Sequence, residues 1–421
     1  MLDIRLLRED PTFVKQQLAR RDPAFSEMVD AVLACDQKRR EVETHVQQLR
    51  SERNRLSKEI GILKNRQGET TALEAEVKSF AATLEQLQET SRELEKDQRT
   101  LLLNIPNLPH ITLPNGNDAS HNVVVRSWGT PATARSEDHI AIGERLGLFD
   151  LDRASKLSGS GYVCFTGKGA RLERALINFL LDLQTQMHGY REMGMPLLVR
   201  REVMEGTGQL PKFEEEMYGF DEGTHFLTPT AEVSLTNFYR DEILPEKELP
   251  LKLTACTPCF RRESGGAGRD TRGIIRMHQF HKVELVKICR PEQADQELET
   301  LTTDAERVLQ LLELPYHVLE ICTGDLGFHS MRTYDLEVWA PGQGAFLEVS
   351  SCSQCGDYQA RRMNLRYKNT EGKNQFCHTL NGSGTALPRL YVALLETHTQ
   401  PGGALLLPKP LQAYFGATSV G

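Results

Sequence analysis

The residue types best suited to chemistry concentrate between Thr254 and Glu284. An apolar run ends at Phe260, Arg261, Arg262 and Glu263, a glycine-rich segment carries Arg269 and Arg272, and the chain returns through Arg276, Met277, His278, Gln279 and Phe280 to Lys282 and Glu284. Both flanks are rich in β-formers, which predicts two antiparallel strands joined by a flexible, basic loop. A guanidinium is always charged and presents a planar donor fork, so arginines on a rigid strand suit a phosphate. Taken alone, Arg-Arg-Glu also fits a surface hairpin tied by salt bridges, and Phe280 also fits a core aromatic at strand spacing.

Three further segments carry usable groups. In Thr230-Ala231-Glu232 a hydroxyl and a carboxylate stand close enough to hold an ammonium, which offers three donors and no acceptor; the same residues fit a helix start, with Thr230 as N-cap. Glu348-Val349-Ser350-Ser351 follows the strand-like Ala345-Phe346-Leu347; a strand-end Glu is more often solvated than ligating, though hard oxygens of this kind also suit Mg²⁺. Thr379 to Arg389 reads as a glycine-rich loop, whose backbone can approach a ligand, leading into a helical pattern at Leu390–Glu396, but no GxxxxGK[ST] is present, which excludes a P-loop ATPase by motif.

Together these segments resemble the signature motifs of the class II aminoacyl-tRNA synthetases, and over nearly the whole chain the similarity is to the seryl-tRNA synthetases. The resemblance implies that Arg261 meets the α-phosphate of ATP and the substrate carboxylate. Glu263 accepts from the adenine amino group and Phe280 stacks on the ring. The nucleotide lies along Arg261, Arg262, Glu263, Met277, His278, Gln279, Phe280, Glu348, Val349, Ser350, Ser351 and Arg389, with Mg²⁺ on Glu348 and Ser351. Thr230, Ala231 and Glu232 hold the serine amino group, Ser383 contacts the substrate, and Glu284 accepts from its hydroxyl. A fixed carboxylate there penalises alanine, which leaves it dry and unpaired. Catalysis falls to Arg261 and Arg389. Pro388 departs from the small residue usual before that arginine, which bears on where Arg389 sits.

Other elements must position these groups. Val42, Val46, Leu49, Arg53, Leu56, Ile60 and Leu63 step by four and three; after Asn65–Thr70 the stepping resumes at Leu73, Val77, Phe80, Leu84, Leu87, Ser91, Leu94, Gln98 and Leu101. That predicts an antiparallel two-helix coiled coil over about residues 27–101. About 30 residues per limb at ~1.5 Å each gives an arm of about 45 Å. Its first limb is basic and its second acidic, so the limbs complement each other; the resemblance adds that this arm lies along the tRNA, largely by shape and backbone. The domains expected are residues 1–103 with the arm, a Pro/Asn-rich linker at 104–117, and a catalytic domain at 118–421. Within the last, Val123-Val124-Val125 with Trp128-Gly129 predicts an edge strand, and a helix is predicted near Asp138–Leu146. A long amphipathic helix is predicted from Ala170 to about Tyr190, followed by a strand at Met195–Val199; the resemblance makes this pair the dimer interface. The fold class that the resemblance implies is α+β, an antiparallel sheet of six or seven strands flanked by helices.

Composition bounds the rest. With 39% hydrophobic and 26% charged residues and a net charge of −8, the chain reads as a globular protein whose charge does not favour non-specific nucleic-acid binding and does not exclude RNA, since local clustering of Lys and Arg decides that. No apolar run is long enough for a bilayer, and the N-terminus lacks a signal-peptide core, so a cytoplasmic location with no membrane partner is expected. Two CxxC pairs, Cys256/Cys259 and Cys352/Cys355, suit zinc in isolation, but their separation exceeds that of a zinc ribbon. The resemblance implies that such pairs recur without metal, so they are expected to be reduced, buried packing residues, with no zinc. The implied function is ATP-dependent activation of L-serine and transfer to tRNA(Ser), with tRNA(Sec) a second candidate, by a homodimer using Mg²⁺. Two competing readings are a class II paralogue that loads a carrier protein and an inactive RNA-binding homologue.

Overall fold

The computed structural model of the chain describes residues 1–263 and 272–421; most of the loop expected to be flexible and basic lies outside the described residues. The chain divides into two compact units, Leu2–Pro106 and Asn107–Gly421, the second including Met1.

In the first unit two short helices, Ile4–Glu9 and Pro11–Ala19, are N-capped by Asp3 and Asp10. They lead into α1 (Ala24–Asn65), which pairs with α2 (Thr71–Leu103) as an antiparallel coiled coil. Every seam residue predicted between Val42 and Leu101 is buried or half-buried. At 42 and 33 residues, the helices run roughly 63 and 50 Å, because α1 begins before the arm and continues through it without a break. A polar clasp locks the base. The buried Asp36 accepts from Arg8 Nε at 2.6 Å and Arg8 Nη2 at 2.7 Å, and from Gln98 Nε2 at 2.7 Å. One carboxylate thereby ties the first short helix to both limbs. Burial pushes this carboxyl up, but the Arg8 and Gln98 bonds outweigh it and hold it below the ordinary range.

The second unit is built on one large sheet. Its strands are β1 (Val123–Trp128), β2 (Arg191–Glu192), β3 (Leu251–Phe260), β4 (Gln279–Cys289), β5 (Tyr316–Glu320), β6 (Arg332–Ala340), β7 (Ala345–Gln354) and β8 (His378–Ala386). Their order is β1-β5-β6-β7-β8-β4-β3-β2. The first seven in that order are mutually antiparallel, and the two-residue β2 closes the edge in parallel with β3. The sheet is thus one strand wider than expected, since a two-residue strand leaves no periodicity to read. Helices α3 (Lys168–Asp182), α5 (Ala294–Leu311) and α6 (Leu387–His398) bury leucines such as Leu176, Leu301 and Leu394 in the same core as Leu285 and Leu336 of the sheet. On α5, Leu298, Leu301, Thr302, Ala305, Val308 and Leu309 give the three-and-four spacing of one buried face.

Several elements differ from expectation. The helix from α3 passes at Leu183–Met187 into a π turn. The strand expected at Met195–Val199 is only Leu198–Arg200, part of a small side sheet with Gly219–Phe220 and His225–Leu227. Residues 104–118 are irregular, and those from Asn107 onward belong to the second unit. Asn107, buried, donates from Nδ2 to the carbonyls of His329 at 3.0 Å and Cys355 at 2.8 Å.

The glycine-rich stretch at Thr379–Ala386 is a strand, not a loop. A Cβ on Gly382 would lie 2.4 Å from Leu301 Cδ2 and 2.9 Å from Cys352 Sγ. That glycine lets α5 sit on the sheet and does not admit a ligand.

Candidate active site

A cleft of about 480 Å³ opens over β4, β7 and β8. Strand alternation explains part of its lining: Phe280, Lys282 and Glu284 are two apart on β4 and all face it, while Val283 and Leu285 enter the core. Two bulges explain the remainder. Between β6 and β7, Leu336 pairs with Ser350 and Glu337 with Glu348, so Val349 is an extra residue. Between β4 and β8, Val283 pairs with Thr385 and Glu284 with Ser383, so Gly384 is extra. Each extra residue reverses the parity of its strand. Glu348 and Ser351, three apart, therefore both line the cleft, and so do Ser383 and Ala386.

One end of the cleft is a buried carboxylate pocket. Thr230 caps the short helix α4 (Ala231–Thr236), accepting from Glu232 N at 3.2 Å, and also donates from Oγ1 to Glu284 Oε2 at 2.7 Å. The capping role and the site geometry are thus both realised. The Thr230 loop is pinned to the end of β3, where Phe260 N donates to Thr228 O at 3.0 Å. Glu232 accepts on Oε1 from Gln359 Nε2 at 2.7 Å and Asn381 Nδ2 at 3.1 Å. Lys282 Nζ bonds Glu284 on Oε2, the oxygen that also receives Thr230. Burial pushes both carboxyls above their ordinary range. For Glu284 the Lys282 charge opposes the rise and the Glu232 charge adds to it; for Glu232 the Gln359 bond and the charges of Lys282 and Arg261 oppose it.

The other end is cationic and aromatic. The Arg261 guanidinium lies 5.3 Å from the Phe280 ring centroid, and its Nε donates to Pro229 O at 3.3 Å. Glu263, with φ +48°, turns back to accept from Arg276 Nε. Arg389 donates from Nη1 to Glu348 O at 2.8 Å and from Nε to Ile275 O at 3.3 Å, with Glu348 Oε2 3.5 Å from Nη1. Pro388 occupies the first turn of α6, where its missing N–H costs nothing, and Arg389 reaches the cleft.

The structure therefore brings Thr230, Glu232, Arg261, Glu263, Met277, Phe280, Glu284, Glu348, Val349, Ser351, Ser383 and Arg389 to one cavity. Five of the expected residues do not line it. Ala231 is in the core, and Arg262 lies over the Tyr218 ring at 5.6 Å. His278 packs against Tyr162, Gln279 faces a neighbouring cavity, and the Ser350 hydroxyl is donated to Ser383 O at 2.6 Å.

Cleft residues that sequence reasoning missed include Lys282, Asp335, Asn381 and His329, whose Nε2 lies 3.7 Å from Glu232 Oε1, with Gln359 bracing the pocket from behind. Lys282 was legible, being the alternate residue between Phe280 and Glu284. Asp335 had no local signal: it reaches the cleft as the cross-strand partner of Ser351. Burial and then the Glu348 charge push its carboxyl well up, and its Oδ1 is buried with no hydrogen-bond partner. An orphaned carboxylate oxygen beside Glu348 and Ser351 is a donor set that fits a hard cation. Among the described residues no three His, Cys, Asp or Glu side chains gather to hold a metal. Of the CxxC thiols, Cys259, Cys352 and Cys355 are buried and Cys256 half-buried. Burial pushes Cys256 and Cys352 up to about 12, so they remain thiols at neutral pH.

Comparison with known proteins places this geometry. Residues 213–398 match the family model of the tRNA synthetase class II core domain (G, H, P, S and T), and residues 1–109 match that of the seryl-tRNA synthetase N-terminal domain. The chain is 56% identical over 421 residues to the serine–tRNA ligase of Akkermansia muciniphila, covering 100% of this chain and 99% of that one. It is 46% identical over 417 residues to the serine–tRNA ligase of Methylacidiphilum infernorum, covering 99% of each. The crystal structure of seryl-tRNA synthetase from Pyrococcus horikoshii complexed with ATP superposes with a TM-score of 0.92 at 37% identity, covering 100% of this chain and 99% of that one.

Proposed function

The chain belongs to the serine–tRNA ligase family, and from that premise we propose how its cleft divides the work of activating L-serine with ATP and passing it to tRNA. The observation that carries the reading is the pairing of two buried carboxylates, Glu232 and Glu284, with arginines and an aromatic face in one cavity. Glu232 and Thr230 take the serine ammonium, Glu284 accepts from the serine hydroxyl, and Ser383, directly opposite Glu284 on β8, closes the small pocket. Phe280 stacks on adenine and Glu263 accepts from its amino group.

In the first step a serine carboxylate oxygen attacks the α-phosphorus in line, forming the mixed anhydride as the bond to the β-phosphate oxygen breaks and pyrophosphate leaves. Arg261 holds both reacting partners and Arg389 faces the leaving side. Preorganised positive charge lowers the barrier, and no side-chain nucleophile is required. Glu348 and Ser351, with Asp335 beside them, would hold Mg²⁺, which supplies further charge neutralisation on the phosphates when bound. In the second step a hydroxyl of the terminal ribose of tRNA attacks the adenylate carbonyl, and AMP leaves. The coiled-coil arm takes the body of tRNA(Ser), and tRNA(Sec) is a second substrate open to the same chemistry.

The domain limits proposed are 1–103, 104–117 and 118–421. The working form is a homodimer, a reading supported by the exposed apolar edge at Val123, Val124, Val125 and Trp128. No helix among the described residues is long and apolar enough to cross a membrane, and the cytoplasm, where translation consumes charged tRNA, is the proposed location.

The test is exchange of labelled pyrophosphate into ATP without RNA, followed by charging of tRNA. Serine-dependent exchange and tRNA charging support the reading. Exchange without charging points to a carrier-protein ligase, and no exchange to an inactive homologue.

A further inference from the structure

The pocket that takes the amino-acid side chain holds a cation with no role in the scheme above. Lys282 is 7% exposed, stands between Phe280 and Glu284 on the cleft face of β4, and bonds Glu284. Its cross-strand neighbours, Thr257 on β3 and Ala386 on β8, are uncharged, so no other partner is offered along the sheet. Both protein donors to Glu284, Lys282 Nζ and Thr230 Oγ1, fall on Oε2. That leaves Oε1, on a residue that lines the cleft, without a protein donor among the described residues.

A charge count gives the consequence. A bound amino acid brings one ammonium, matched by Glu232, and one carboxylate, matched by Arg261. The second buried carboxylate, Glu284, needs a counter-charge in a medium that tolerates unpaired charge poorly. A neutral side chain such as an alcohol cannot provide one, and the protein does so itself through Lys282.

We propose that Lys282 is a specificity-determining residue which neutralises Glu284 from within the pocket, so that the site takes a neutral hydroxyl side chain and rejects a cationic one of the same size. The competitor it excludes is an amino acid with an amine in place of the hydroxyl, 2,3-diaminopropanoate, whose side-chain amine is protonated near neutral pH. Rejection comes from like charge and not from shape, because hydroxyl and amine are nearly equal in volume. The inference rests on the serine reading of the pocket.

The experiment measures kcat/KM in pyrophosphate exchange for serine and for 2,3-diaminopropanoate, with the full-length wild type and with Lys282→Met, Lys282→Gln and Lys282→Arg. Thermal melts establish that each variant is folded. Removing the charge is expected to lower the serine-to-diaminopropanoate ratio by about tenfold or more in Lys282→Met or Lys282→Gln, while Lys282→Arg stays within about threefold of wild type. A ratio that moves by less than about tenfold in both neutral variants overturns the proposal, as does loss of exchange with both amino acids in both, which would make Lys282 a structural residue. Failure of the wild type to use serine would overturn the functional reading instead, so the two failures are distinguishable.

Discussion

Replacing Glu284 by glutamine probes the side-chain pocket with the least change of shape. Glu284 is 1% exposed and accepts from Thr230 at 2.7 Å and from Lys282. Glutamine keeps the volume and one acceptor oxygen but removes the charge. A hydrogen bond to a charged group contributes about 1.5–3 kcal/mol, so its loss lowers kcat/KM for serine by roughly tenfold to 150-fold. Alanine has no hydroxyl to lose, and the preference for serine over alanine falls by the same factor. The KM for ATP changes by less than about twofold, because Phe280 and Arg389 are untouched. The variant also leaves the buried Lys282 without its counter-charge, so a melt is run first and rates are taken below its midpoint. Steady-state exchange with serine, alanine and ATP varied in turn reads all three quantities. A serine kcat/KM within about threefold of wild type, or equal losses for serine and alanine, would refute the reasoning.

The pH dependence has a definite sign: Glu232 and Glu284 are pushed up by burial, so protonation begins above the usual carboxylate range, and kcat/KM for serine falls as the pH drops toward it. The same two groups bind protons more readily folded than unfolded, so their contribution to the empty fold is destabilising above their folded values and is relieved on acidification; melts run beside the pH–rate profile check both directions. Asp36 behaves oppositely: held low by Arg8 and Gln98, it stabilises above its unfolded value and that stability is lost as the pH falls through the folded one. Asp36→Ala should cost about 2–4 kcal/mol in the first unit, seen as faster amide exchange at the base of α1 and α2, and unchanged exchange there would contradict the clasp. Deleting residues 27–101 should leave serine-dependent pyrophosphate exchange nearly intact and abolish tRNA charging; equal loss of both steps would make the arm structural.

What was legible in the chain depended on whether a local period carried it. The coiled coil has a long, unbroken step of four and three, and its seam is buried as read. The hairpin of β3 and β4 is marked by β-formers on both sides of glycine, and the alternation from Phe280 to Glu284 names one face. Parity failed where pairing adds a residue. Nothing between Glu348 and Ser351 announces that Val349 is an extra residue, yet without it the two would point to opposite faces. The glycines before Arg389 suggested a loop, whereas Gly382 is small because Leu301 and Cys352 crowd it. Asp335 and Gln359 were invisible because they join the site only through the tertiary fold, from a neighbouring strand and from the helix Tyr358–Met363.

The most direct test is a crystal structure of this chain with a non-hydrolysable sulfamoyl analogue of seryl-adenylate. The account predicts the serine ammonium on Thr230 and Glu232, the hydroxyl on Glu284 Oε1 with Lys282 still on Oε2, and adenine against Phe280. An analogue bound with its serine moiety away from Glu284, or seated in the neighbouring cavity beside Gln279, would contradict it.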